Sequence, residues 1–312
     1  MPLNFDEAQI AALLDWDALI DAMERALIAF STGEAIQPVR SVLTVEEGRR
    51  YFGVMPAIAG DVMGAKLVSF YPANDGAGLP THHGTIALFD ARTGVPTATL
   101  DGRLITEMRT AAVSAAVARR LMPDRSRVLA LLGSGVQASA HLRALRRIAA
   151  FDEVRVWSRT PQHAERFARE HAVRACAAEH AVAGADVVVV ATSASEPVLQ
   201  GDWIRPGALA IAVGANHPTW RELDDAAMRN AIVVDSREAA VRESGDLILS
   251  GARIYAEAGD ILAGVVPAPP AGETRIFKSL GLAVEDLYAA QLVLRAHAAS
   301  HGRSTRPLEV KG

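Results

Sequence analysis

The chain has 312 residues, half of them hydrophobic and 22% charged, with a formal net charge of -4. That length supports two domains with their own cores, and a small negative charge with no Lys/Arg cluster argues against a nucleic-acid partner. Cys176 has no partner for an intrachain disulfide, the acidic start MPLNFDEAQI lacks a signal-type apolar core, and no apolar run nears the ~20 residues of a membrane span, so the expectation is a soluble, cytoplasmic protein.

Residues 1–121 read as mixed α/β. Helical periodicity runs from Trp16 to Phe30, with Leu19, Met23, Ala26, Leu27 and Phe30 on one face. Strands are expected at 51–55, 64–71 and 84–90, and DARTGVPTATLDG is a hairpin signal turning at Thr93-Gly94. The Ala-rich segment 105–121 predicts a helix that Pro123 ends. Strand and helix then alternate. The runs 128–132, 153–157, 186–192, 208–213 and 231–235 are apolar throughout, as a parallel sheet buried on both faces requires. LAGVVPAPPAG (262–272) reads as a surface excursion, and a last helix over about 281–297 is expected to pack back on the first domain.

The segment LALLGSGVQASAHLRALRRI sets Gly133, Gly135 and Ala138 as GxGxxA between a strand and a helix. Such glycines permit a tight turn and a close approach of backbone to a pyrophosphate, and Ala138 keeps the helix near the strand. Ser134, Val136 and Gln137 complete the turn, and the strand ends at Thr192-Ser193 and Val213-Gly214 complete the expected cofactor-binding set. Ser158-Arg159-Thr160 follows the second strand, where an NAD site usually carries an acid for the ribose 2′-hydroxyl. A guanidinium and two hydroxyls suit a 2′-phosphate, so NADP(H) is favoured and NAD(H) is the alternative. No metal site is assigned. Three cations in the first half stand beside small or apolar neighbours: Arg40 in QPVRS, Lys66 in GAKLVSF and Arg109 in EMRTAA. Lys66 is the most telling, because a strand reading MGAKLVSFY has little use for an ammonium that meets no anion.

GAKLVSFY, the D-x-x-T-G-x-P hairpin of Asp90 to Pro96, RTAAVSA, LGSGVQA, VWSRT, VGANHPTWRELD, VDSREAAVRESGD and FKSLGLAVED together resemble the ornithine cyclodeaminase/mu-crystallin family, collinearly from about Arg40 to Asp286 and most closely in its ketimine-reductase branch. The resemblance implies a Rossmann domain (122–285) inserted into an α/β substrate and dimerisation domain (1–121 with 286–312), and a homodimer with its active site between domains. It implies that Arg40, Lys66 and Arg109 hold a substrate carboxylate, that Thr110 lies near the cofactor phosphates and that His82 lines the cleft. The segment AVGANHPTWRELDD ends a small-residue strand at Gly214 and is read as starting an acidic helix at 222–225. Within it, cyclodeaminases and the related archaeal alanine dehydrogenases carry Asp where this chain has Asn216, which hydrogen-bonds but takes no proton near neutral pH. The ornithine enzyme also has an acid where this chain has Gly53. The reading is therefore an NAD(P)H-dependent reductase of a small cyclic imino acid, Δ1-pyrroline-2-carboxylate or Δ1-piperideine-2-carboxylate, with Lys66 as proton donor and Asn216 orienting the imine or the nicotinamide. Ornithine cyclisation or alanine dehydrogenation on the same scaffold is one alternative, and a non-catalytic NADP-linked binder of small molecules is the other.

Overall fold

The computed structural model describes residues 1–47, 49–74, 77–300 and 302, which form two sheets with helices packed on each. The first contains β1 (Leu3–Phe5), β2 (Ala35–Ile36), β3 (Ser41–Glu46), β4 (Arg50–Ala59), β5 (Val62–Phe70), β6 (His82–Asp90) and β7 (Pro96–Asp101). Its order is β1-β7-β6-β5-β4-β2, with β3 also paired to β4; β4 to β7 form an antiparallel meander. The β6–β7 hairpin turns where expected, because Asp90 Oδ1 accepts the N–H groups of Arg92 and Thr93 and Gly94 takes φ +73°.

Helices α1 (Glu7–Leu13), α2 (Trp16–Ser31) and α3 (Gly102–Leu121) accompany this sheet. Asp101 caps α3 by accepting the N–H of Arg103, and the alanines at 111, 112, 115, 116 and 118 are buried. Small side chains on several faces let α3 run between the first sheet and α4 (Val136–Ile148), which puts it against both halves of the molecule.

The second sheet is parallel throughout. It comprises β8 (Val128–Leu132), β9 (Glu153–Trp157), β10 (Arg174–Ala175), β11 (Val187–Val190), β12 (Leu209–Ala212), β13 (Ala231–Val234), β14 (Ile254–Glu257) and β15 (Arg275–Lys278), in the order β10-β9-β8-β11-β12-β15-β13-β14. The four valines of β11 are fully buried, as expected of strands covered on both faces. With α4, the helices α5 (Pro161–His171), α6 (Ala178–Val182), α7 (Arg237–Glu243), α8 (Gly245–Ser250) and α9 (Ala258–Leu262) complete this half. The last helix, α10 (Ala283–Ser300), returns to pack on α2, α3 and β4. No helix among the described residues is long and apolar enough to cross a membrane.

Two departures from the sequence reading matter for the site. The acidic stretch 222–225 begins no helix: Glu222 turns inward and is fully buried, with N–H donors around its carboxylate, and only a short 3-10 turn at Ala227–Arg229 follows. RIFK (275–278), unassigned in the sequence reading, is the strand β15 between β12 and β13. A run with a cation at each end does not read as a sheet centre, yet Arg275 and Lys278 are both buried.

Candidate active site

Strand β5 and helices α3 and α10 bring four charges together in the interior. Lys66 Nζ lies 2.7 Å from Asp286 Oδ2, while Arg109 reaches Asp286 Oδ1 through Nε at 3.2 Å and Glu285 Oε2 through Nη1 at 2.5 Å. Asp286 and Glu285 are fully buried, and Lys66 and Arg109 nearly so. Both carboxylates sit in the first turn of α10, where the helix dipole favours negative charge. Burial, then the Arg109 charge, push the Lys66 ammonium down to about 8, against the pull of Asp286. Burial likewise pushes Glu285 up to about 7, with Arg109 opposing it. Burial works against the Arg109 charge too, but Asp286 and Glu285 outweigh it and raise its pKa. The cluster is thus a dry, charge-balanced pair of cations with a proton-carrying group poised near neutrality.

Arg40 joins the cluster through the chain crossing that precedes α10. Its Nη2 donates to the carbonyls of Leu280 (2.6 Å) and Gly281 (2.8 Å), and its Nε lies 3.0 Å from Glu243 on α7. Gly281 takes φ +81°, and a side chain there would put its first carbon 2.5 Å from Arg109 Nη1. Asp235 holds this crossing by accepting Leu280 N–H (2.6 Å), Gly281 N–H (2.7 Å) and Ser279 Oγ–H (3.1 Å). Glu243, Asp235, Glu285 and Asp286 were not singled out from the sequence. All four stand inside the quoted motifs VDSREAAVRESGD and FKSLGLAVED, and that placement was the one available signal.

Register places the sheet residues that neighbour the cluster. Met55, Lys66 and Ile86 stand side by side on β4, β5 and β6. Two residues further along, on the same face, come Gly53, Val68 and Gly84, and two beyond those come Tyr51, Phe70 and His82. Each step advances about 7 Å, so a strip bearing two glycines separates the cation from a row of rings. The His82 ring stacks on Phe70 with centroids 4.5 Å apart, and Tyr51 lies 6.4 Å from Phe70 at 15°. His82 keeps a solvent-exposed edge, and packing around its ring, then Lys66 and His83, hold its pKa below the usual value. The row continues onto the second half of the molecule through His217, 6.4 Å from Tyr51 and 5.2 Å from Trp220. Asn216 precedes His217 and is exposed.

The nucleotide side is built from strand ends of the second sheet. Gly133 follows β8 with φ +115°, its N–H donates to Trp157 O at 2.8 Å, and a side chain there would collide with the Ala191 carbonyl. Gly135 is the N-cap of α4, and nothing lies within 4 Å of where a Cβ would stand. Val136 is exposed and Ser134 and Gln137 are half-buried, while the Gln137 carbonyl accepts from buried His141. This is open backbone at a helix N-terminus, which suits a pyrophosphate. Thr192-Ser193 and Val213-Gly214 follow the adjacent strands β11 and β12 at the carboxyl edge of the sheet, next to the β8–β11 pair where the strand order reverses. Ser158, Arg159 and Thr160 lead into α5 beside this edge, with Arg159 and Thr160 exposed. Thr110, one residue past Arg109 on α3, gives its hydroxyl to Thr106 O at 2.8 Å.

Over residues 5–301 the chain matches the family described as the ornithine cyclodeaminase/mu-crystallin family. Ketimine reductase mu-crystallin of Mus musculus is 49% identical over 284 residues, covering 88% of this chain and 90% of that protein. Among solved structures, Thermococcus litoralis Δ1-pyrroline-2-carboxylate reductase in complex with NADH and L-proline superposes with a TM-score of 0.90 at 33% identity, covering 98% of this chain and 100% of the other. An archaeal alanine dehydrogenase dimer with bound NAD gives a TM-score of 0.90 at 29% identity, covering 99% of each. This chain belongs to the ornithine cyclodeaminase/mu-crystallin family.

Proposed function

We propose that this protein is an NAD(P)H-dependent oxidoreductase that reduces the C=N bond of a cyclic ketimine carboxylate, such as Δ1-pyrroline-2-carboxylate or Δ1-piperideine-2-carboxylate. The observation that carries the reading is the buried Lys66–Asp286–Arg109–Glu285 cluster beside the glycine-bearing strip of Gly53, Val68 and Gly84. Fixed cations suit a planar carboxylate, and neither Gly53 nor Asn216 supplies a carboxylate for a second amine. The named activities of the mouse and Thermococcus relatives support the same chemistry.

In this mechanism Arg109 and Arg40 orient the substrate carboxylate, and burial of the cluster keeps water away from the cations and strengthens their field. Lys66, held by Asp286, delivers a proton to the imine nitrogen as the carbon is reduced. Asn216 orients the nitrogen or the nicotinamide edge by hydrogen bonding. Gly133, Gly135 and the α4 N-terminus hold the pyrophosphate, with Ser134, Val136, Gln137 and Thr110 around it and Thr192, Ser193, Val213 and Gly214 toward the nicotinamide. When bound, the nicotinamide supplies the hydride. Ser158, Arg159 and Thr160 favour NADP(H) over NAD(H) through contacts to a 2′-phosphate.

Residues 1–121 with 286–312 act as the substrate and dimerisation domain, and 122–285 as the nucleotide domain. Ile36, Val42, Leu43, Val45, Ile58 and Leu67 form exposed apolar surface on β2 to β5, which fits the face of a homodimer. A single cysteine and a nicotinamide cofactor suit a cytoplasmic setting. The test is a spectrophotometric panel following NADPH oxidation with five- and six-membered ketimine carboxylates, pyruvate plus ammonia, and ornithine with NAD. Ketimine reduction without ammonia release from ornithine is expected. Ready ornithine deamination would overturn the reading.

A further inference from the structure

Three motif residues outside the mechanism above form a second buried charge cluster. Glu222, Asp246 and Lys278 are fully buried and come from three separate segments: the loop after β12, helix α8 and the end of β15. Lys278 Nζ lies 3.1 Å from Asp246 Oδ2 and 3.9 Å from Glu222 Oε2. Burying three charges is costly before their attraction returns it, and apolar side chains of like volume would hold a core as well or better. The arrangement of donors shows what the charges accomplish instead.

Glu222 bridges two strand ends. Its Oε1 accepts Thr192 N–H at 2.8 Å and Thr192 Oγ–H at 2.7 Å, and its Oε2 accepts Gly214 N–H at 2.6 Å and Ala215 N–H at 3.1 Å. A side chain at Gly214 would collide with both Thr192 O and the Glu222 carboxylate, so the fit leaves no slack. Asp246 Oδ1 accepts the N–H groups of Glu222 (2.9 Å) and Leu223 (3.0 Å), which anchors the stapling residue's own backbone. Gly245, beside Asp246, donates its N–H to His217 O at 3.1 Å. Asn216 therefore sits between two pinned neighbours, Ala215 on the Glu222 side and His217 on the α8 side.

We propose that Glu222, anchored by Asp246 and Lys278, is a positioning residue that staples the loops after β11 and β12 together and thereby fixes Asn216 for the reduction step. Its kinetic arm rests on the ketimine-reductase reading; its structural arm does not. Glu222→Gln keeps the volume but offers one carbonyl oxygen where two carboxylate oxygens now accept four donors, so one loop is released. Amide exchange at 192–194 and 213–217 should then quicken about tenfold or more in the variant without ligand. With a ketimine, kcat should fall roughly thirtyfold to a hundredfold while the substrate KM stays within about threefold. Misplacement should also raise the isotope effect from NADPH deuterated at the transferred position, and adding Asn216→Ala should cost the variant far less activity than it costs the wild type. Thr192→Val removes one of the four bonds and preserves shape, so it should show the same split more weakly if Glu222→Gln folds poorly. Unchanged exchange at both loops overturns the proposal whatever the substrate, and so does a wild-type kcat or full additivity with Asn216→Ala. Quickened exchange in an enzyme whose wild type reduces no ketimine supports the staple and sinks the ketimine reading.

Discussion

The two ends of the candidate site solve opposite electrostatic problems. At the substrate end, Lys66 and Arg109 are shut away from water and matched in place by Asp286 and Glu285. At the nucleotide end, Gly133, Gly135 and the start of α4 present mostly backbone, and the charged side chain nearest the expected 2′-phosphate, Arg159, is exposed. Preorganised buried charges hold their geometry against the field of a small ligand, and they are costly to disturb. Backbone donors at a helix end tolerate side-chain change, so specificity there rests on a few surface groups.

That contrast breaks most visibly at Arg109. Arg109→Ala strands two buried carboxylates and is expected to cost about 3–5 kcal/mol of stability as well as most activity; denaturant unfolding beside ketimine turnover measures both. Lys66→Ala should lower kcat/KM on the order of 10²–10³-fold while NADPH binding stays nearly intact. Retention of wild-type kcat/KM by either variant would remove the clamp from the mechanism.

His141 sharpens the comparison between the two halves, because it joins them. Its Nδ1–H donates to Gln137 O at 2.7 Å, so its Nε2 accepts the Ser114 hydroxyl at 2.9 Å, linking α4 to α3. Burial pushes its pKa down to about 4. The unfolded chain protonates this imidazole below about 6.5 while the folded protein does so only near 4, so stability falls as pH drops through that window. On the order of 3 kcal/mol is at stake, and His141→Gln should flatten the fall in melting temperature between pH 7 and pH 5.

At the nucleotide end, Arg159→Ala should narrow an NADPH preference of tenfold or more, since a charge-assisted contact contributes roughly 1.5–3 kcal/mol. Equal dissociation constants for NADPH and NADH in the wild type would refute the 2′-phosphate assignment. At the substrate end the corresponding fine adjustment is in pH. With Lys66 as donor, kcat/KM should decline as pH rises through about 8. Asp286→Asn removes an anion that favours the ammonium, so that limb should move to lower pH by roughly one unit or more. Asn216→Asp should have the mildest effect, a shift in the pH dependence of imine reduction without efficient ornithine cyclisation.

The same contrast explains what could be read in advance. GxGxxA is local, its spacing is dictated by one turn and one helix end, and the apolar runs around it carry the parallel sheet in their composition. The meander was legible for the same reason, down to the turn at Thr93-Gly94. The counter-ions of Lys66 and Arg109 were not, because Glu285 and Asp286 reach Arg109 from 176 and 177 residues away in sequence and Asp286 reaches Lys66 from further still, and acids in a helix's first turn look like ordinary capping. Glu222 misled for that reason too: an acidic run after a proline reads as a helix start, and only the donors of Thr192, Gly214 and Ala215 turn it inward. Val42, Leu43 and Val45 belong to β3, a strand missed because it lies at the margin of the sheet and its apolar residues are exposed rather than alternating.

The passages of chain between the two halves also have a mechanical meaning. After α3, the buried Arg275 guanidinium grips the carbonyl of Leu121 at 3.1 Å together with those of Gly207, Pro269 and Pro270. Before α10, Asp235 grips 279–281, whose carbonyls carry Arg40 and whose Gly281 abuts Arg109. Both passages between the halves are therefore held by ionic side chains, and the second of them lies directly against Arg40 and Arg109. A swing that parted the halves at these passages would drag Arg40 off the carbonyls of Leu280 and Gly281 and Arg275 off that of Leu121.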